Sequence, residues 1–164
     1  MSIKSELIES MTEWRRHMHQ FPECGFDLPL TADFVAEKLE SFGLEVTRNV
    51  GKKGVVAKLS CGDGQNSIGL RADMDALFIQ EQNTFAHKSK HEGQMHACGH
   101  DVHITALIGT ARQLMERRDE WSGTLVLIGQ PAEERISGAP AMLNDGLYER
   151  FPKPDYALAF HVDA

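Results

Sequence analysis

The run Gly123–Gly129, GTLVLIG, constrains this chain more than any other segment. It is apolar at consecutive positions rather than at alternate ones. A strand of that kind has no face to offer water, so it must lie inside a sheet covered on both sides. Tyr156–Val162, YALAFHV, has the same character and reads as a second buried strand. Helical patterns surround these runs. Leu7, Met11, Trp14 and Met18 recur at three- and four-residue steps over residues 5–19, and Pro22 ends that pattern. Thr31 is placed to cap a second helix with Phe34, Val35, Leu39 and Phe42 on its stripe and Gly43 as its stop. Asp101 is placed to cap a third, from about Val102 to Arg118, with Ile104, Leu107, Ile108, Ala111, Leu114 and Met115 on one face. A short fourth helix covers Ala139–Asn144 and closes at Gly146. Leu44–Val50, Gly54–Leu59 and Ser67–Ala72 are β-rich, with GKKG and CGDG turns between them, and residues 78–95 are polar and irregular. Helices alternating with apolar strands predict an α/β layered fold with a largely parallel sheet core. No repeat or linker divides the 164 residues.

Composition removes several classes of function. A net charge of −7, from 24 acidic and 17 basic residues, comes with no Lys/Arg run beyond Arg117-Arg118. Phosphate backbones need a basic surface, so a nucleic-acid partner is disfavoured. No stretch reaches the roughly 18–20 apolar residues of a membrane span. The start, MSIKSELIESMTEW, lacks an apolar signal core. Cys24, Cys61 and Cys98 have no framework spacing, which fits a reducing cytoplasm. The chain closes at Ala164, directly after a buried-strand pattern, and so reads as a fragment of a longer fold.

The chemistry concentrates in MHACGHDVH, residues 95–103. Thiolate and imidazole donors held close together are what a zinc-type site requires. Gly99 lets Cys98 and His100 face one ion, and the adjacent helix N-terminus is expected to favour thiolate at Cys98. His96 and His103 read as supporting or solvent-exposed residues. Gln130-Pro131-Ala132-Glu133-Glu134 follows the GTLVLIG strand, at the end where open α/β sheets bind ligands. One carboxylate there can hold a metal while the other moves a proton. Taken alone, such a pair is more often a solvated surface feature, and its position at a buried strand's end brings the functional reading level with that one. His161 near the end of YALAFHV is, taken alone, more in keeping with an ordinary core or edge histidine than with a ligand. Asp73 and Asp75 in LRADMDAL read as loop caps or as groups that orient a ligating histidine.

In family order, RRHMHQFPECGF (15–26), LRADMDAL (70–77), MHACGHDVH (95–103), GQPAEE (129–134) and AFHV (159–162) resemble the N-terminal part of M20-family metallopeptidases and amidohydrolases. The aminoacylase, hippurate hydrolase and auxin-conjugate amidohydrolase branch is the nearest in pattern. The resemblance implies a zinc-peptidase-like α/β catalytic domain with a mixed, largely parallel sheet flanked by helices, truncated at its C-terminus. It implies that Cys98, His100, Glu134 and His161 are ligands of two divalent metal ions (zinc, manganese, cobalt or nickel) and that Glu133 is the general base. Asp73 matches the family's HxD position with Arg71 where the His would stand, so Asp73 is left out of the ligand set. Arg15, Arg16, His19 and Glu23 match the N-terminal motif without a chemical role. Phe78 and Lys53 depart from the family's usual Pro and Thr.

The activity implied is metal-dependent hydrolysis of the amide bond in an N-acyl amino acid or similar small conjugate. The partners implied are that small substrate, with neither nucleic acid nor membrane, and a homodimer in the full-length form. Family members run to about twice this length. Residues 1–164 would then be the N-terminal portion of the catalytic domain, without the lid or dimerisation domain and without a further metal-binding His. The alternative is a truncated, catalytically inactive metal-binding remnant. A zinc deaminase fails, because no Glu stands two residues after His96 and no PCxxC follows. A structural zinc module would have no use for Glu133.

Overall fold

The computed structural model describes residues 4–159, 161 and 162. Helices α1 (Ser5–Gln20) and α2 (Pro29–Ser41) precede strands β1 (Glu45–Val50), β2 (Gly54–Cys61) and β3 (Ser67–Asp73). Helix α3 (His100–Glu116), strand β4 (Gly123–Gln130), helices α4 (Gly138–Asn144) and α5 (Leu147–Arg150) and strand β5 (Tyr156–Ala159) complete the order. The strands form one mixed sheet, β1-β2-β4-β3-β5. β3 pairs parallel with both β4 and β5, whereas β1-β2 and β2-β4 are antiparallel. No helix among the described residues is long and apolar enough to cross a membrane.

β4 lies inside the sheet, as its unbroken apolar run predicts. Leu125 and Leu127 join a core with Leu7, Trp14 and Met18 of α1, Val35 and Leu39 of α2, and Ile104, Leu107 and Ile108 of α3. Val126 and Ile128 face the other way, into a smaller cluster with Val50, Val56, Met142 and Leu147. Alternate residues of one strand thus feed two cores, giving helix, sheet and helix in three layers.

Three local expectations are corrected. Thr31 is not the cap of α2, which begins with Pro29 in the first turn. The orphan amides of that turn are met from outside instead: the Glu23 carboxylate accepts the N–H groups of Leu30 and Thr31 at 3.2 and 2.8 Å. Asp101 does not cap α3 either. The helix begins two residues earlier than expected, after Gly99 in the left-handed region at φ 76°, and Asp101 is buried inside its first turn. Lastly, β5 is not covered on both faces. It is the sheet's edge, with Tyr156 and Leu158 exposed. The one-turn α5 has too short a pattern to be read locally.

Candidate metal centre

The predicted residues meet at the carboxyl ends of the parallel strands. β3 delivers Asp73 and, just beyond it, Asp75. β4 runs into Glu133 and Glu134, His161 follows β5, and Cys98 and His100 flank Gly99 at the start of α3. Cys98 Sγ lies 3.4 Å from His161 Nε2. His100 Nε2 lies 3.7 Å from Glu133 Oε2, 3.7 Å from Glu134 Oε1 and 3.6 Å from Asp73 Oδ2. Donor atoms of Cys98, His100 and His161 fall within 4.8 Å of one another, as do those of Asp73, His100, Glu133 and His161. With metal–ligand bonds of about 2.0–2.3 Å in tetrahedral geometry, two donors on one ion stand roughly 3.3–3.8 Å apart. The donor set therefore fits divalent metal.

Hydrogen bonds fix which ring nitrogens face the centre. His100 Nδ1 donates to the Asp75 carbonyl at 2.7 Å, which leaves Nε2 as a lone pair turned toward the carboxylates. His161 Nδ1 likewise donates to the Val162 carbonyl at 2.8 Å and presents Nε2 to Cys98. His100 Nε2 and Glu134 Oε1 are buried with no hydrogen-bond partner among the described residues. Buried polar atoms left without a partner are costly unless something else satisfies them, and an ion is one such group.

The thiol departs from expectation. Cys98 is pushed up to about 11, first by burial, then by Glu134, Glu133 and Asp73. Burial, with three carboxylates adding to it, holds the thiol protonated, so the protein groups alone do not favour thiolate. A cation at the centre would reverse the balance. Asp73 shows the converse. Burial would raise it, but the hydrogen bond from His103 and the proximity of His100 and Arg71 hold it below the usual carboxylate range.

The family model described as peptidase family M20/M25/M40 matches residues 69–164. The chain belongs to this family. It is 46% identical over 164 residues to a hippurate hydrolase of Campylobacter jejuni, covering 98% of this chain and 42% of that protein. It is 44% identical over 149 residues to an N-acyl-L-amino acid amidohydrolase of Geobacillus stearothermophilus, covering 90% and 40%. A Bacillus subtilis structure, described as a dinuclear metal-binding peptidase of family M20, superimposes with a TM-score of 0.91 at 35% identity, covering 98% of this chain and 44% of that one. The M20 chain thus spans about two-fifths of the length of these relatives.

Other parts of the M20 motifs now have partners. Arg15 Nε and His19 Nδ1 both lie 2.8 Å from Asp101 Oδ2, and His19 Nε2 lies 3.2 Å from Glu81 Oε1. This ties α1 and the loop at Glu81 to the first turn of α3, next to His100. His96 and His103 are both buried, which leaves the supporting reading of these residues and removes the solvent-exposed one. The sequence leaves Asp73 out of the ligand set and reads it as a loop cap or a group that orients a ligating histidine, and the structure puts its Oδ2 3.6 Å from His100 Nε2. Its position directly after an apolar strand, level with the end of GTLVLIG, was the available signal.

Proposed function

We propose that this chain carries the metal-binding half of an amidohydrolase site acting on N-acyl amino acids or similar small conjugates. The observation that carries the reading is the meeting of His100 Nε2 and Glu134 Oε1, both buried and unpartnered among the described residues, at 3.7 Å. Cys98, His100, Glu134 and His161 would hold two divalent ions of the zinc, manganese, cobalt or nickel type, with Asp73 close enough to contribute. Divalent ions at such a centre acidify water and polarise a carbonyl oxygen.

Glu133 is the more open of the two glutamates, its side chain 34% exposed against 20% for Glu134. Its backbone is anchored, since its N–H donates to Asp75 at 2.8 Å. A carboxylate held at the rim in this way can accept a proton from water. It can then return that proton to the amide nitrogen as the C–N bond breaks, acting first as base and then as acid. Glu134, deeper and beside Cys98, stays with the metal.

Glu133→Gln and Glu134→Gln separate these roles. Zinc content is measured on the purified protein, and hydrolysis of benzoylglycine and acetyl amino acids is measured beside a full-length relative. Glu133→Gln should retain zinc and lower turnover by about 10²–10⁴-fold. Glu134→Gln should lose zinc as well. Equal zinc loss in both variants contradicts the division of labour. Full zinc occupancy in the parent with no hydrolysis favours the inactive metal-binding remnant.

A further inference from the structure

We propose that His103, clamped by Asp73, is a positioning residue that sets where His161 stands. The inference rests on the metal-site reading for the importance of His161, but its geometry stands separately. Among the described residues the last β3-β5 pair is Arg71–Ala159. His161 lies two residues past that pair, and no described strand pair includes it. What reaches across is His103, in the first turns of α3. Its Nδ1 lies 2.5 Å from Asp73 Oδ1, and its Nε2 accepts the Val162 N–H at 2.9 Å. The ring is therefore a two-ended strut. One end is on the tip of β3 and the other on the backbone amide that follows His161.

The strut is rigid for physical reasons. Asp73 has no exposed surface, and His103 is 1% exposed. The second Asp73 oxygen is held by Arg71 Nη1 at 2.7 Å, and Arg71 Nε donates to Gln130 Oε1 at 2.9 Å. The chain of contacts therefore runs from the end of β4 through β3 and α3 to the His161 segment. A proton on Nδ1 is required by the carboxylate, and a lone pair on Nε2 by the Val162 amide. The ring is thus neutral and in a single tautomer. Packing adds to the bond: a Cβ on Gly99 would come within 3.2 Å of the Val162 side chain, so this segment lies directly on the turn between Cys98 and His100. An ordinary core histidine would need neither a buried carboxylate nor a backbone amide from the segment that carries the predicted ligand. Groups that orient a ligand in this way commonly alter metal affinity by 10–100-fold when removed.

Two substitutions divide the strut. An Asn amide can occupy the Nδ1 position and keep Asp73 but falls short of Val162. A Gln amide reaches the Nε2 position and can still accept the Val162 N–H. Nitrogen-detected NMR of the metal-free parent should find His103 in the Nδ1–H tautomer and the Val162 amide slow to exchange. His103→Gln should keep the amide protection within about tenfold, and His103→Asn should lose it. Cobalt titration should then show affinity 10–100-fold weaker for His103→Asn and near the parent for His103→Gln. An Nε2–H tautomer or a freely exchanging Val162 amide in the parent overturns the proposal even if neither variant folds. Equal protection in all three proteins overturns it too, as does parent-like cobalt affinity in His103→Asn. A parent with a protected Val162 amide that takes up no cobalt defeats the metal reading while leaving the strut in place.

Discussion

Asp75 Oδ1 accepts the backbone N–H of Glu133 at 2.8 Å, and its Oδ2 accepts that of Glu134 at 3.3 Å. One buried carboxylate therefore sets both glutamates, while the carbonyl of the same residue orients His100. Asp75→Asn keeps the shape but turns an NH₂ toward one of these amides. Hydrogen bonds to charged groups contribute about 1.5–3 kcal/mol each, and a donor facing a donor is worse than no bond. The expected loss is about 2–4 kcal/mol by urea unfolding, with zinc affinity weakened at least tenfold. Parent-like stability and zinc affinity would show that Asp75 does not organise the centre.

Cys98, His100, Glu133, Glu134 and His161 were singled out as a set by the family resemblance. Taken alone, His161 reads as a core or edge histidine and the glutamate pair as a surface feature, and only their places after strands or before a helix put them on one side of the sheet. Local order predicts their common rim. Asp73 and His103 were not legible as a pair. Their contact depends on how β3 packs under α3, a relation between residues 30 positions apart. The cap of α2 was misplaced for the same reason. Thr31 is a good capping residue locally, but Glu23 arrives from outside the helix with a stronger acceptor. The burial of β4 followed from its own pattern. That of β5 did not, because cover over an apolar strand depends on what packs beside it, and here it forms the edge.

His96 supplies a pH dependence with a definite sign. It is 3% exposed, and burial pushes its pKa down to about 4, with His100, His19 and Arg15 also lowering it and Asp101 opposing. The folded protein therefore binds fewer protons than the unfolded chain between about pH 6.5 and pH 4. The stability tied to neutral His96 is fully present above pH 6.5 and is lost as pH falls toward 4. His19 has its pKa raised by Asp101 and Glu81, so its contribution is complete below pH 6.5 and fades only at higher pH. His96→Leu removes no hydrogen bond found among the described residues. Its unfolding free energy should fall less between pH 7 and pH 4.5 than that of the parent, by about 2–3 kcal/mol at 1.36 kcal/mol per pKa unit. Identical pH profiles for parent and variant would assign the acid sensitivity elsewhere.

The thiols should be sluggish in metal-free protein. Cys24 and Cys98 are both pushed up to about 11, Cys24 chiefly by burial with Asp75 adding to it. At pH 8 only about one thiol in a thousand is then thiolate, and the thiolate is the nucleophile. Glu134→Gln removes the largest charged contributor at Cys98, so iodoacetamide should label Cys98 faster than in the parent and Cys24 much less so. Mass spectrometry of digests distinguishes the sites. Unchanged Cys98 labelling in Glu134→Gln would mean that Glu134 does not govern this thiol and that burial, Glu133 and Asp73 suffice.

The Arg15–Asp101–His19 cluster should behave as one unit. Asp101 has no exposed surface, and its Oδ2 is shared by Arg15 Nε and His19 Nδ1 at 2.8 Å each. Burial would raise its pKa, but the His19 hydrogen bond and the nearby His96 and Arg15 hold it below the usual range. Removing one partner from a buried pair leaves the others uncompensated and typically costs about 3–5 kcal/mol. Arg15 is a third exposed, so solvent recovers part of this, and Asp101→Asn should lose about 2–4 kcal/mol. His19→Gln should lose less, since Glu81 is left with the amides of Ser89 and Asn83 as donors. The double variant decides the matter. Groups in one network are not additive, so the combined loss should fall short of the sum of the two single losses by about 1 kcal/mol or more. Additive losses would mean that Asp101 and His19 stabilise the start of α3 independently, and that the tie from α1 through this network to the turn at His100 does not exist.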